Sequence, residues 1–145
     1  MINGVIVTPL REIAAPGGGV FHAMKSGDPG CSGFGEAYFS TVESGFVKPW
    51  KRHERMTLNI VVPVGLIRFV LYDDRHGSVT ENLFSEIRLG RPSNYARLTV
   101  PPGIWMAFQG ISDEISWLLN MADMKHDPEE AKRRQLVEIP YDWSI

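Results

Sequence analysis

Gly65-Leu-Ile-Arg-Phe-Val-Leu-Tyr-Asp-Asp-Arg75, continued by His76-Gly-Ser-Val-Thr80, is the stretch whose reading decides the fold. A glycine opens a run of β-branched, aromatic and aliphatic residues, and a charged loop closes it. Such a run between turn signals reads as a strand. The same grammar recurs along the chain. Fourteen glycines and ten prolines separate short apolar segments, a pattern that predicts an all-β sandwich or barrel.

Working outward, strands are expected at residues 5–8, 20–24, 37–42, 46–50, 56–62, 66–72, 83–89, 96–100, 104–108 and 114–121. The segments 37–42 and 46–50 read as a hairpin through Glu43-Ser-Gly45. Those at 56–62 and 66–72 read as another through Pro63-Val-Gly65. Residues 15–19 and 26–35 read as loops, and Pro101-Pro-Gly103 as a turn. One short helix is expected near the end. Asp127 caps it, Pro128 takes its first position, Glu129 and Glu130 sit in its first turn, and Lys132, Arg133 and Arg134 sit in its last. Residues 139–143 follow as an extended tail with aromatics packed on the barrel.

A chain of 145 residues suits one domain, residues 1–145, and buries a core without staples. The net charge of −2, without a basic run, argues against nucleic acid or an anionic membrane as partner. Cys31 is the only cysteine, so neither an internal disulfide nor a cysteine-based zinc site is expected. No signal-like or membrane-spanning apolar run is present in the sequence, and a cytoplasmic location is expected.

The opening stretch resembles the pattern G-x-V-x-x-V-x-V-D-x-R-x-x-S-P-T of the dTDP-4-dehydrorhamnose 3,5-epimerases. Pro101-Pro-Gly-Ile-Trp-Met-Ala-Phe108 is similar to that family's P-x-G-x-x-H-G-F segment. Phe46-Val-Lys-Pro-Trp-Lys-Arg-His53 stands where the family has L-R-G-L-H, and Met121-Ala-Asp-Met-Lys-His-Asp-Pro-Glu129 resembles the strand that leads into Asp and then Pro-Glu. The resemblance implies a cupin-type double-stranded β-helix, a jelly-roll barrel, with a nucleotide-linked 4-keto sugar in its mouth. It also implies a homodimer, with N-terminal strands reaching the partner, and a place in surface polysaccharide synthesis. No cofactor is expected, because the ketone itself acidifies the neighbouring C–H bond. No metal is expected either. Where metal cupins carry H-x-H, Glu and a second His, this chain has His53-x-Arg55, Leu58 or Asn59, and Met106.

Epimerisation beside a ketone needs a base, an acid on the opposite face, and a donor for the enolate oxygen. By the family pattern, His53 is the expected base, with Lys51 as the alternative. Lys48 and Arg55 are expected to hold anionic oxygens. Asn59 and Asn120 are expected to orient sugar hydroxyls, and Trp105 to stack on a ring. Tyr38 is a replacement acid or an interface aromatic. The family's acidic tyrosine falls near Leu119 or Asn120, and no counterpart of the carboxylate that supports its histidine is visible. Two other readings remain at this point: a non-catalytic sugar-nucleotide-binding cupin, and a metal-free cupin with other isomerase or lyase chemistry.

Overall fold

The computed structural model describes residues 1–145. Twelve strands run in chain order: β1 Ile6–Pro9, β2 Glu12–Ala15, β3 Gly18–Phe21, β4 Glu36–Val42, β5 Val47–His53, β6 Leu58–Val64, β7 Leu66–Tyr72, β8 Phe84–Gly90, β9 Ala96–Val100, β10 Trp105–Gly110, β11 Ser116–Ala122 and β12 Ala131–Arg134. One five-stranded sheet has the order β1-β9-β6-β11-β4, a second has β12-β5-β10-β7-β8, and β2-β3 form a separate hairpin. Every paired neighbour is antiparallel. From β4 onward the chain crosses repeatedly between the two sheets, which is the jelly-roll arrangement of a cupin. No helix is long and apolar enough to cross a membrane.

The main core lies between the sheets. Leu58, Ile60 and Val62 of β6 meet Ile67, Phe69 and Leu71 of β7, together with Leu89, Leu98 and Leu118. A second apolar cluster lies on the outer face of the second sheet, where Trp50, Val70, Trp105 and Ala107 are covered by Ile139 and flanked by Tyr141 and Trp143. The tail therefore packs on the barrel. The Trp50 indole N–H donates to the Ile139 carbonyl at 3.1 Å, and Arg68 donates to the carbonyls of Trp143 and Ser144.

The stretch 65–80 is a strand and its anchor. Asp73 is fully buried. It accepts from the Arg75 backbone and guanidinium, the Ser78 hydroxyl at 2.7 Å and the Thr80 hydroxyl at 2.6 Å. Arg75 and Thr80 also bond the main chain of Asn3. The D-x-R-x-x-S-x-T pattern thus ties the loop after β7 to the N-terminal segment.

Three expectations are corrected. Neither expected hairpin forms, because β4 and β6 lie in one sheet and β5 and β7 in the other. Only Gly65 separates β6 from β7, and one residue makes a corner where reversal needs at least two. Its φ is +81°, and a Cβ there would meet the Ser116 hydroxyl oxygen at 2.3 Å. Around Glu43-Ser-Gly45 the chain instead wraps against Gly110, with the Gly45 amide donating to the Gly110 carbonyl. Third, the helix capped by Asp127 is absent. Asp127 accepts from the Glu129 amide as a cap would, but Glu130 turns inward and residues 131–134 run on as β12, paired with β5. The only helical turn is the 3-10 turn Leu136–Glu138.

Candidate functional site

A cavity of about 400 Å³ opens between the sheets, with walls drawn from β4, β5, β6, β10, β11 and β12. Its floor is apolar: Leu58, Ile60, Met106, Phe108 and Leu118. Its polar groups are His53, Lys48, Lys51, Arg133, Tyr38 and Asn120, along with Ser40.

β5 supplies the first three through a local irregularity. Met106 and Phe108 of β10 are two residues apart, yet they pair with Lys51 and Lys48, three apart. β5 therefore carries one extra residue, a β-bulge. Pro49 lies within it, where a proline without an N–H is tolerated. The bulge turns Lys48 to the same side as Lys51 and His53. Without it, alternation would send Lys48 outward beside Trp50.

His53 is buried, and its Nδ1 is hydrogen-bonded to Oε1 of buried Glu130. The other Glu130 oxygen accepts from the backbone amides of Glu54 at 3.2 Å, Arg55 at 3.1 Å and Met56 at 3.3 Å. This carboxylate thus holds both the imidazole and the turn that follows β5. Burial drives Glu130 upward, but the His53 bond and the backbone donors outweigh it and hold the carboxyl below its ordinary value. Burial pushes the His53 imidazole below its ordinary 6.5. The Glu130 bond resists, and the Lys51 and Arg133 charges add to the lowering. A neutral imidazole bonded to a carboxylate through Nδ1–H leaves Nε2 as the free acceptor.

Burial also lowers Lys51, and so does the guanidinium of Arg133, its partner across the β5–β12 ladder, against the opposing charges of Glu130 and Glu36. Lys48, Lys51 and Arg133 have no carboxylate within ion-pair distance. Arg52 and Arg134, on the outer face of the same two strands, both meet Asp74. The cavity wall therefore concentrates unneutralised positive charge. On the opposite sheet, the Asn120 amide donates to the Tyr38 hydroxyl at 3.0 Å across the β4–β11 pair.

The expected residues divide. His53, Lys51, Lys48 and Asn120 come together around one cavity, with Tyr38. Arg55, Asn59 and Trp105 do not. Arg55 lies beyond β5, exposed, bonded to Asp127 at 2.8 Å. Asn59 faces away from the cavity because residues 54–57 form a turn that resets the alternation. Its amide donates to the Gly30 carbonyl and accepts from Thr99, pinning the loop 26–35. Trp105 alternates with Met106 and so lies on the outer face. Its indole donates to Asp74 at 2.8 Å, with the Arg52 and Arg134 guanidiniums over its ring at 4.8 and 4.6 Å.

Sequence reasoning missed Glu130 and Arg133 because it placed both in a helix. Glu-Ala-Lys-Arg-Arg at 130–134 carries no strand alternation, so no local signal marked the pairing with β5.

No family model matches the chain. It is 40% identical to a dTDP sugar isomerase from Desulfovibrio desulfuricans G20, whose crystal structure superposes with a TM-score of 0.94 over 98% of this chain and 92% of that one. It is 33% identical over 107 residues to a probable low-salt glycan biosynthesis epimerase of Haloferax volcanii, covering 73% of this chain and 66% of that protein. It is 24% identical to a spore coat polysaccharide biosynthesis protein of Bacillus subtilis, over 98% of this chain and 91% of that protein. Fold, cavity and sequence likeness over nearly the whole length agree, and the chain belongs to the family of dTDP-sugar isomerases and epimerases that includes the dTDP-4-dehydrorhamnose 3,5-epimerases.

Proposed function

We propose that this protein inverts or shifts a C–H centre beside the ketone of a nucleotide-linked 4-keto sugar, in the synthesis of a surface polysaccharide. The observation that carries the reading is the His53–Glu130 pair in the wall of a cavity whose opposite sheet presents Tyr38. His53 Nε2 takes the proton from the carbon next to the ketone, and the electron pair moves onto the ketone oxygen. The Lys51 ammonium stabilises that oxygen. Tyr38 then delivers its phenolic proton to the other face of the carbon as the carbonyl re-forms. Solvent returns a proton to Tyr38 and removes one from His53. Proton transfer by a placed side chain is worth about 10²–10⁴-fold, and a preorganised donor at the oxyanion is worth a comparable factor.

Lys48 and Arg133 hold the diphosphate. Lys48 keeps its expected role and Arg133 takes the place of Arg55, since unpaired cations on a cavity wall suit a dianion and an exposed, already paired arginine does not. The chemistry asks nothing of a cofactor. The similarity to a dTDP sugar isomerase and to glycan and spore coat polysaccharide proteins supports the substrate class.

We infer a homodimer as the working form. Phe39 and Trp117 pack edge to face at 6.1 Å on the outer surface of β4 and β11, and both are exposed. β4 also ends its sheet, with unpaired backbone groups along its free side.

The substrate class is tested by thermal melting with dTDP, UDP, GDP and CDP. A nucleotide at about 100 times its Kd adds about 2.7 kcal/mol, which raises Tm by several degrees. A rise with one nucleoside diphosphate supports the reading and names the base. No rise with any of them, well above micromolar concentration, overturns it.

A further inference from the structure

Five buried side-chain polar atoms lack a hydrogen-bond partner, and of these only Asn120 Oδ1 belongs to a residue lining the cavity. Asn120 is 2% exposed. An amide buried to this degree normally has both ends satisfied, and an orphaned acceptor is costly. Its other end is occupied, since Nδ2 donates to the Tyr38 hydroxyl at 3.0 Å. The two residues sit directly opposite each other on β11 and β4. Tyr38 has no other hydrogen-bond partner in the protein. With its oxygen accepting from Asn120, its own O–H is free to point elsewhere.

We propose that Asn120 is the positioning and specificity residue of this site. Nδ2 fixes Tyr38 with its proton directed to the substrate, and Oδ1 accepts a hydroxyl of the bound sugar. The inference rests on the sugar-nucleotide reading above and deepens it. A single amide would couple recognition of the sugar to delivery of the proton. A ligand lacking the hydroxyl leaves Oδ1 unpaired and relaxes the amide that aims Tyr38. A site built around a hydrogen-bonding group discriminates against ligands that lack it far more strongly than an apolar pocket does. The geometry is local to one cross-strand pair and involves no charged group, so it does not depend on the titration of His53.

Three variants test it: Asn120→Asp, Asn120→Leu and Tyr38→Phe. Asn120→Asp keeps the shape but only accepts, so it draws the Tyr38 proton away from the cavity. Melting curves of each variant establish that the barrel is intact. The first readout is affinity by calorimetry for dTDP and dTDP-glucose. Asn120→Leu is expected to weaken dTDP-glucose tenfold or more and leave dTDP within about twofold. The second readout is the ratio of inverted product to solvent-deuterium exchange on a 4-keto sugar nucleotide. Exchange needs only the His53 side, whereas inversion needs Tyr38. Asn120→Asp and Tyr38→Phe are both expected to lower that ratio tenfold or more. A double variant should be no worse than Tyr38→Phe alone. If Asn120→Asp keeps the wild-type ratio, or Asn120→Leu weakens both ligands equally, the inference is wrong while the sugar-nucleotide reading stands. If wild-type protein binds neither ligand, both are wrong.

Discussion

Glu130 accepts from one imidazole and three backbone amides, and most of the site's chemistry follows from that residue. Replacing it with glutamine keeps the shape but removes the charge. Hydrogen bonds to charged groups are worth about 1.5–3 kcal/mol, so Glu130→Gln is expected to lower stability by about that much in a urea titration. Turnover should fall at least tenfold, because His53 loses the partner that fixes its tautomer. The pair also sets the pH response. His53 is held below its ordinary 6.5, so the unfolded chain takes up its proton first as pH falls. Glu130 is likewise held below its ordinary 4.5. In both cases the unfolded state binds more protons, so stability is full above about 6.5 and declines as pH drops through the His53 window and then the Glu130 window. Melting temperature should therefore fall from pH 7 toward pH 4, and His53→Gln should flatten the upper part of that slope. Activity should follow the neutral imidazole, with its acid limb below 6.5. At this scale the sequence made His53, Lys51 and Lys48 legible through their motif position. Glu130 was not legible, because Asp127-Pro-Glu-Glu130 carries helix-start chemistry and only the tertiary pairing of 131–134 with β5 overrides it.

Strands were the most readable elements, since alternation and Gly/Pro punctuation are local properties. Which sheet each strand joins is not local. The segments before and after Gly65 satisfy every hairpin signal except turn length, and residues 58–62 are buried on both faces, as in a central strand of a packed sandwich. Gly65→Ala tests this corner. It puts a Cβ at positive φ and against the Ser116 hydroxyl, whose oxygen bonds the Leu66 amide. Strain of this kind costs about 1–3 kcal/mol, so Tm should drop by several degrees. A tolerated Gly65→Ala, with unchanged Tm, would contradict the tight crossover. The bulge in β5 was equally hidden. Pro49 hinted at an irregularity, but only the Met106 and Phe108 pairing shows that it brings Lys48 to the cavity. The same kind of hidden reset, at residues 54–57, sends Asn59 to the opposite side.

For the whole molecule, the resemblance in the opening stretch carried the fold, and the cavity then supplied what the motifs lacked. The binding-only reading rested on a missing acid and a missing carboxylate; Glu130 supplies a carboxylate bonded to His53, and the proposed mechanism assigns the acid to Tyr38, so heavy-water exchange decides between the two. Assembly gives its own prediction. Light scattering should report twice the chain mass of 16.3 kDa, and Phe39→Glu with Trp117→Glu should halve it. A wild-type mass of one chain would exclude the dimer. The central claim is proton transfer at a carbon beside a ketone, and it is tested most directly by proton NMR of a dTDP-linked 4-keto-6-deoxy sugar in heavy water. Loss of a C–H signal next to the ketone with wild-type protein, and its persistence with His53→Ala, is the predicted result. A C–H signal unchanged by wild-type protein, or lost equally with His53→Ala, would contradict the account.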